Sequence, residues 1–126
     1  MILWILFLLG LLFHVQLGLM PLFHGLDVTV SPAENLAAIG GIIWLMLAFF
    51  LLPLVAILGT AFTTALPYRL LHFGFTILYS VLNFFHLLAD IFETPVLGYQ
   101  ITLMGFLFAI GLWLNVVSWR WWHGRP

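Results

Sequence analysis

The sequence predicts an all-α integral membrane protein, a single four-helix up-down bundle over residues 1–126 with both termini cytoplasmic. Composition is the first reason. Only 6% of the 126 residues are charged and 65% are hydrophobic, whereas a soluble domain carries about 25% charge because its surface meets water. Segment length is the second, since four apolar runs reach the roughly 20 residues that carry a helix across a bilayer. The third is the shortness of the links between the runs, which sets sequential neighbours antiparallel.

The first span is expected over residues 2–23. It lacks the basic leader and A-x-A site of a secretory signal, so it reads as a retained spanning helix. The second, 33–58, opens on Ser31-Pro32-Ala33-Glu34, a capping box with proline at the first helical position. Pro53 lies inside it, removes the hydrogen bond to the Phe49 carbonyl and predicts a kink. The third, 67–92, begins at Leu66-Pro67 without a polar cap, and the fourth, 95–119, begins at Thr94-Pro95. Glycines 40, 41, 105 and 111 are places where helices can approach closely, and no heptad seam stands out.

Orientation follows from arginine. An up-down bundle puts Arg69, Arg120 and Arg125 on one side, which the positive-inside rule makes cytoplasmic, and Asp27, Glu34, Asp90 and Glu93 on the other. Trp119, Trp121 and Trp122 are expected to anchor the cytoplasmic interface, with Trp4 joining the same belt.

Several functions are excluded. The chain has no lysine and no basic patch, which argues against nucleic acid and anionic headgroups as partners. It has no cysteine, so disulfides, iron–sulfur clusters and thiolate metal sites are ruled out. No nucleophile sits beside a base and no phosphate loop is present, so the chain is not expected to be an enzyme on its own. Its partners are expected to be the lipid bilayer and other membrane subunits, in an energy-transducing or plasma (inner) membrane.

The third span carries the chemistry. Read at about 100° per residue, Tyr68, Arg69, His72, Thr76, Tyr79, Ser80, Asn83, His86 and Asp90 share about a third of its circumference. Histidine and aspartate facing lipid cost some kcal/mol each, so this edge must face protein, cofactor or water.

Two histidines define the leading constellation. His14 in the first span and His86 in the third lie at depths differing by about 5 Å on parallel helices, a bis-histidine arrangement for haem b. Gly10 and Gly18 flank His14 one turn either side, leaving bare backbone for a flat macrocycle or a close helix. With Asn83 and His72 on the same inner edge, these residues form the candidate cofactor-binding set, for haem b or a quinone. His72 and His86 are fourteen residues apart, a spacing that resembles the paired-histidine helices of the cytochrome b family. That resemblance implies two stacked haems, but no second helix carries a matching pair, because His14 and His24 are ten apart.

The alternative constellation is a divalent-metal site at the acidic rim, drawing on His86, His14, His24, Asp90 and Glu93. The leading functional expectation is therefore a small subunit of a respiratory or photosynthetic electron-transfer complex. A copper- or zinc-binding membrane protein and a purely structural anchor are the alternatives.

Overall fold

Among the described residues, four helices are long and apolar enough to cross a membrane: α1 Ile2–Leu19, α2 Gly40–Phe62, α3 Leu66–Phe92 and α4 Gly98–Trp122. The computed structural model describes residues 1–27, 34–92 and 97–124. The Ser31 capping box, the Thr94-Pro95 start, Glu93 and Arg125 lie outside these residues.

Helix boundaries follow from local chemistry, and some depart from expectation. α1 tightens after Leu19 into a 3-10 turn, Met20–His24, with Pro21 near its start. The turn closes at Gly25, whose φ of 78° is a left-handed conformation that glycine adopts without strain. The second span starts later than residue 33. A 3-10 turn over Leu36–Ile39 precedes α2, and Asn35 caps it by accepting a 3.0 Å bond from the Ala38 N–H. An amide side chain at that position satisfies a first-turn donor as a serine would. α4 runs to Trp122 instead of stopping at residue 119, so Arg120, Trp121 and Trp122 are still helical.

Packing centres on α4, which lies along α3 and α1. Its buried residues include Gln100, Met104, Leu107, Gly111, Leu114 and Ser118, spaced alternately by four and three. The inner edge of α3 keeps the same rhythm through His72, Thr76, Tyr79 and Asn83, and continues to His86 and Asp90. This 3.5-residue repeat is the heptad seam that was not apparent in the sequence, and it suits the shallow crossing common in membrane bundles. Gly111 allows the approach, with a Cβ there falling 3.4 Å from Ser80 Oγ. Glycines 40, 41 and 105 meet no neighbour within 4 Å and play no such part.

α2 is more peripheral. It touches α1 and is tied to α3 by two tyrosines. Pro53 deprives the Phe49 carbonyl of its helical donor, and the Tyr79 hydroxyl from α3 donates to that oxygen at 2.6 Å. The Phe49 and Tyr79 rings stack at 4.7 Å. One turn beyond Pro53, the Tyr68 hydroxyl donates to the Ala56 carbonyl at 2.7 Å and lies over Gly59, where a side chain would collide with it.

The core is aromatic at the end where α1 begins and α4 finishes. Trp4, expected in an interfacial belt, is fully buried there, edge-on to Phe7, His72 and Tyr79. Arg69 donates from Nε to the Thr64 carbonyl at 2.8 Å and lies 5.5 Å from the Trp121 ring, closing the same end. Many of the other large apolar side chains on all four helices are exposed, a surface suited to lipid.

Candidate metal centre

The inner edge of α3 meets polar groups of α1 and α4 at three levels. At the end where the chain enters α1 and leaves α4, the Trp4 indole donates to His72 Nε2 at 2.8 Å, and Ser118 Oγ lies 2.8 Å from Nδ1. An indole N–H can only donate, so Nε2 is the acceptor and the ring proton sits on Nδ1, directed at Ser118. Both nitrogens are thus engaged, and His72 joins α1, α3 and α4 in one buried link. At mid-depth, Asn115 Nδ2 donates to Ser80 Oγ at 2.8 Å, and Asn83 is 3% exposed one turn further along.

The third level is where α1 and α3 end. His14 from α1 and His86 from α3 meet there, ring centroids 5.1 Å apart and planes at 76°. Asp90, one turn beyond His86, reaches both: Oδ2 is 4.0 Å from His14 Nε2 and Oδ1 is 3.8 Å from His86 Nε2. One ligand atom from each of the three lies within 4.8 Å of the others. These gaps exceed hydrogen-bond length, and Asp90 Oδ2 makes no hydrogen bond among the described residues. The Asp90 side chain is 12% exposed and that of His14 15%, while His86 keeps 46% and so leaves one flank of the cluster open.

The sequence pattern accounts for this convergence. His86 and Asp90 are four apart, hence on one face of α3, and the parallel course of α1 brings His14 to the same height. α4 holds α1 in register, with Gln100 Nε2 donating to the His14 carbonyl at 3.1 Å. Gln100 also covers Gly18, its Nε2 3.6 Å from where a Cβ would be, and Leu107 fills the place of a side chain at Gly10. The bare backbone beside His14 is therefore occupied by α4. No family, no curated protein and no solved structure matches the chain.

Of the residues singled out from sequence, His14, His86 and Asp90 come together. His24 does not join them, being exposed in a shallow groove with Leu17, Met20, Pro21, Leu26 and Tyr99. His72 belongs to the opposite end and Asn83 lies between. Sequence reasoning set Trp4 in the interfacial belt and did not single out Ser118 or Gln100 as site residues; Trp4 and Ser118 bond His72, and Gln100 bonds the His14 carbonyl. Their signal was the rarity of polar atoms in the last span, where Gln100, Asn115 and Ser118 fall on or beside one stripe.

Two imidazoles and a carboxylate are donors that zinc, iron(II), manganese(II) and copper(II) all accept, bonding at about 2.0–2.2 Å in the case of zinc. With neutral histidines, Asp90 offsets one of the two positive charges on such an ion. The open flank beside His86 gives room for water or an exogenous ligand in the remaining position.

Proposed function

We propose that this chain is a multi-pass membrane protein that binds a divalent transition-metal cation through His14, His86 and Asp90. The observation that carries the proposal is the ion-sized gap between these three groups. They come from two helices and approach to within 4.8 Å, yet the Asp90 contacts stay at 3.8 and 4.0 Å. A carboxylate turned inward near the end of a span gives up part of its hydration, and a cation between it and two imidazoles offsets that cost. By the positive-inside rule the Arg69 end is cytoplasmic, so the site faces the opposite compartment.

The same histidine pair as axial haem ligands has less support. A ring separation of 5.1 Å, with Leu107 against Gly10, leaves little room for a porphyrin plane between the imidazoles. A place in an electron-transfer complex, with other membrane subunits as partners, draws on the apolar outer surface and small size. It gains nothing from His72, whose nitrogens are already bonded.

The test is metal content and optical spectra of the purified protein in nanodiscs, after loading with zinc or cobalt(II) and exhaustive dialysis. About one equivalent should be retained, with visible cobalt bands of low symmetry. His14→Ala, His86→Ala and Asp90→Asn should each weaken binding by about 10-fold to 100-fold or more, the range seen when even supporting groups of metal sites are lost. Sub-stoichiometric metal that is unchanged in all three variants would overturn the site and leave a structural anchor. A Soret band with split reduced bands would replace the ion with haem.

A further inference from the structure

The buried polar groups of the bundle are not equally satisfied along its length. In the half nearer Arg69, both His72 nitrogens are bonded, Thr76 Oγ donates to the Phe73 carbonyl at 2.7 Å, and the Tyr79 hydroxyl is taken up by Phe49. From mid-depth to the Asp90 end, four buried atoms make no hydrogen bond among the described residues: Asn115 Oδ1, Asn83 Nδ2, Gln100 Oε1 and Asp90 Oδ2. Asn83 and Gln100 are only 3% and 7% exposed, so bulk solvent at the outer surface does not serve them.

An amide atom without a partner in an apolar interior costs about 1–3 kcal/mol by protein mutational data, and more in hydrocarbon. Three amide atoms and one carboxylate oxygen, all between mid-depth and the Asp90 rim, form a coherent set. A polar interior of this kind is the setting in which buried water is held, each molecule needing two to four polar partners. We infer that water enters the bundle from the rim carrying Asp90, follows the inner edge of α3 past Asn83 to the Ser80–Asn115 pair, and stops there.

The path has a length and an end. Ten residues separate Ser80 from Asp90, about 15 Å of helix, or half the hydrocarbon thickness. Beyond Ser80 the interior closes on Trp4, Phe7, Phe75 and Tyr79, whose rings contact one another at 4.7–6.3 Å. Behind these rings Thr76 and Ser118 are each 1% exposed, with their hydroxyls occupied. A half-path of this form opens the His14–His86–Asp90 cluster to one compartment only. It stands whether or not an ion is bound.

The chain contains no cysteine, so single introduced cysteines report accessibility without background. In chelator-treated protein reconstituted in vesicles, Asn83→Cys and Asn115→Cys should react with a small charged methanethiosulfonate added at the Asp90 side. Their rates should exceed those of Thr76→Cys and of Leu78→Cys, whose parent side chain is 52% exposed on the outer surface, by at least about tenfold. Asn83→Cys and Asn115→Cys no faster than Leu78→Cys would overturn the path. Equal reaction at Thr76→Cys would overturn its closed end. Water-edited solid-state NMR of the unsubstituted protein is the second measurement. Magnetisation should pass from water to the Asn83 and Asn115 side-chain amides and not to the Trp4 indole; the reverse pattern overturns the inference even if a variant fails to fold. Because the protein is metal-free throughout, failure here is distinct from failure to bind metal.

Discussion

The Trp4–His72–Ser118 link shows how one buried imidazole becomes structural. Each ring nitrogen has a partner on a different helix, at 2.8 Å in both cases, so losing either partner leaves a polar atom in an apolar interior. Interhelical hydrogen bonds in bilayers average only about 0.6 kcal/mol and reach about 1.7, because the unfolded helices find other partners in the membrane. Trp4 is fully buried and His72 5% exposed, which places their bond toward the upper figure. A double-mutant cycle with Trp4→Phe and His72→Leu, followed by reversible unfolding in bicelles, should give a coupling of about 1–1.7 kcal/mol. A coupling below about 0.3 kcal/mol would mean that the contact is packing alone. The contrast with His86 is instructive: the same residue type on the same helix edge has its Nε2 at 3.8 Å from a carboxylate and nearly half its side chain open. Burial and partners, not residue type, separate a structural link from a candidate ligand.

Among the elements, α2 poses the main question, because a helix with few inward residues must be held by something. Only Pro53 and Ala56 are buried on it, and both sit where an α3 tyrosine hydroxyl meets the backbone. The proline creates the acceptor and Tyr79 supplies the donor. Tyr79→Phe should therefore destabilise the bundle by about 1 kcal/mol while Pro53 is present. In a Pro53→Ala background the restored N–H of residue 53 can bond the Phe49 carbonyl, and the effect of Tyr79→Phe should fall by at least half. Equal effects in both backgrounds, measured in the same unfolding assay, would assign the role of Tyr79 to its ring. The loss of the Phe49 hydrogen bond was legible in the sequence, since proline chemistry is local; the hydroxyl that answers it comes from thirty residues away and was not. The same distinction explains the other outcomes. The four long apolar helices, their antiparallel order and the polar edge of α3 were readable because they depend on segment length and on the spacing of polar residues. The α4 seam was hidden because lipid-facing and core-facing positions are equally apolar in a membrane, so hydropathy carries no period there. Gly10 and Gly18 left two openings in the sequence, a macrocycle or a close helix; Leu107 and Gln100 of α4 occupy both places.

At the scale of the whole molecule, the two ends of the bundle differ in chemistry. One gathers Arg69, Trp119, Trp121, Trp122 and the satisfied Trp4–His72–Ser118 link; the other gathers His14, His86, Asp90 and Gln100, whose Oε1 makes no hydrogen bond among the described residues. The two linkers expose this polarity to measurement. Thr64, between α2 and α3, lies at the arginine end, where its carbonyl accepts from Arg69 Nε, and Ala37, just before α2, lies at the other. Both are exposed, so cysteine at either should leave the packing intact. In intact cells Ala37→Cys should react with an impermeant maleimide, whereas Thr64→Cys should react only after permeabilisation. The inverse result would put the His14–His86–Asp90 cluster on the cytoplasmic side. The positive-inside rule supplies the direction, and with Arg69 and Arg120 as the only described arginines its force here rests on few charges. Replacing Arg69 and Arg120 together by glutamine should therefore yield a mixed orientation, with both cysteines partly labelled before permeabilisation. If the double variant keeps one orientation, the aromatic packing of Trp119, Trp122 and His123 at the end of α4, with ring centroids 3.9–5.5 Å apart, becomes the feature that fixes the insertion.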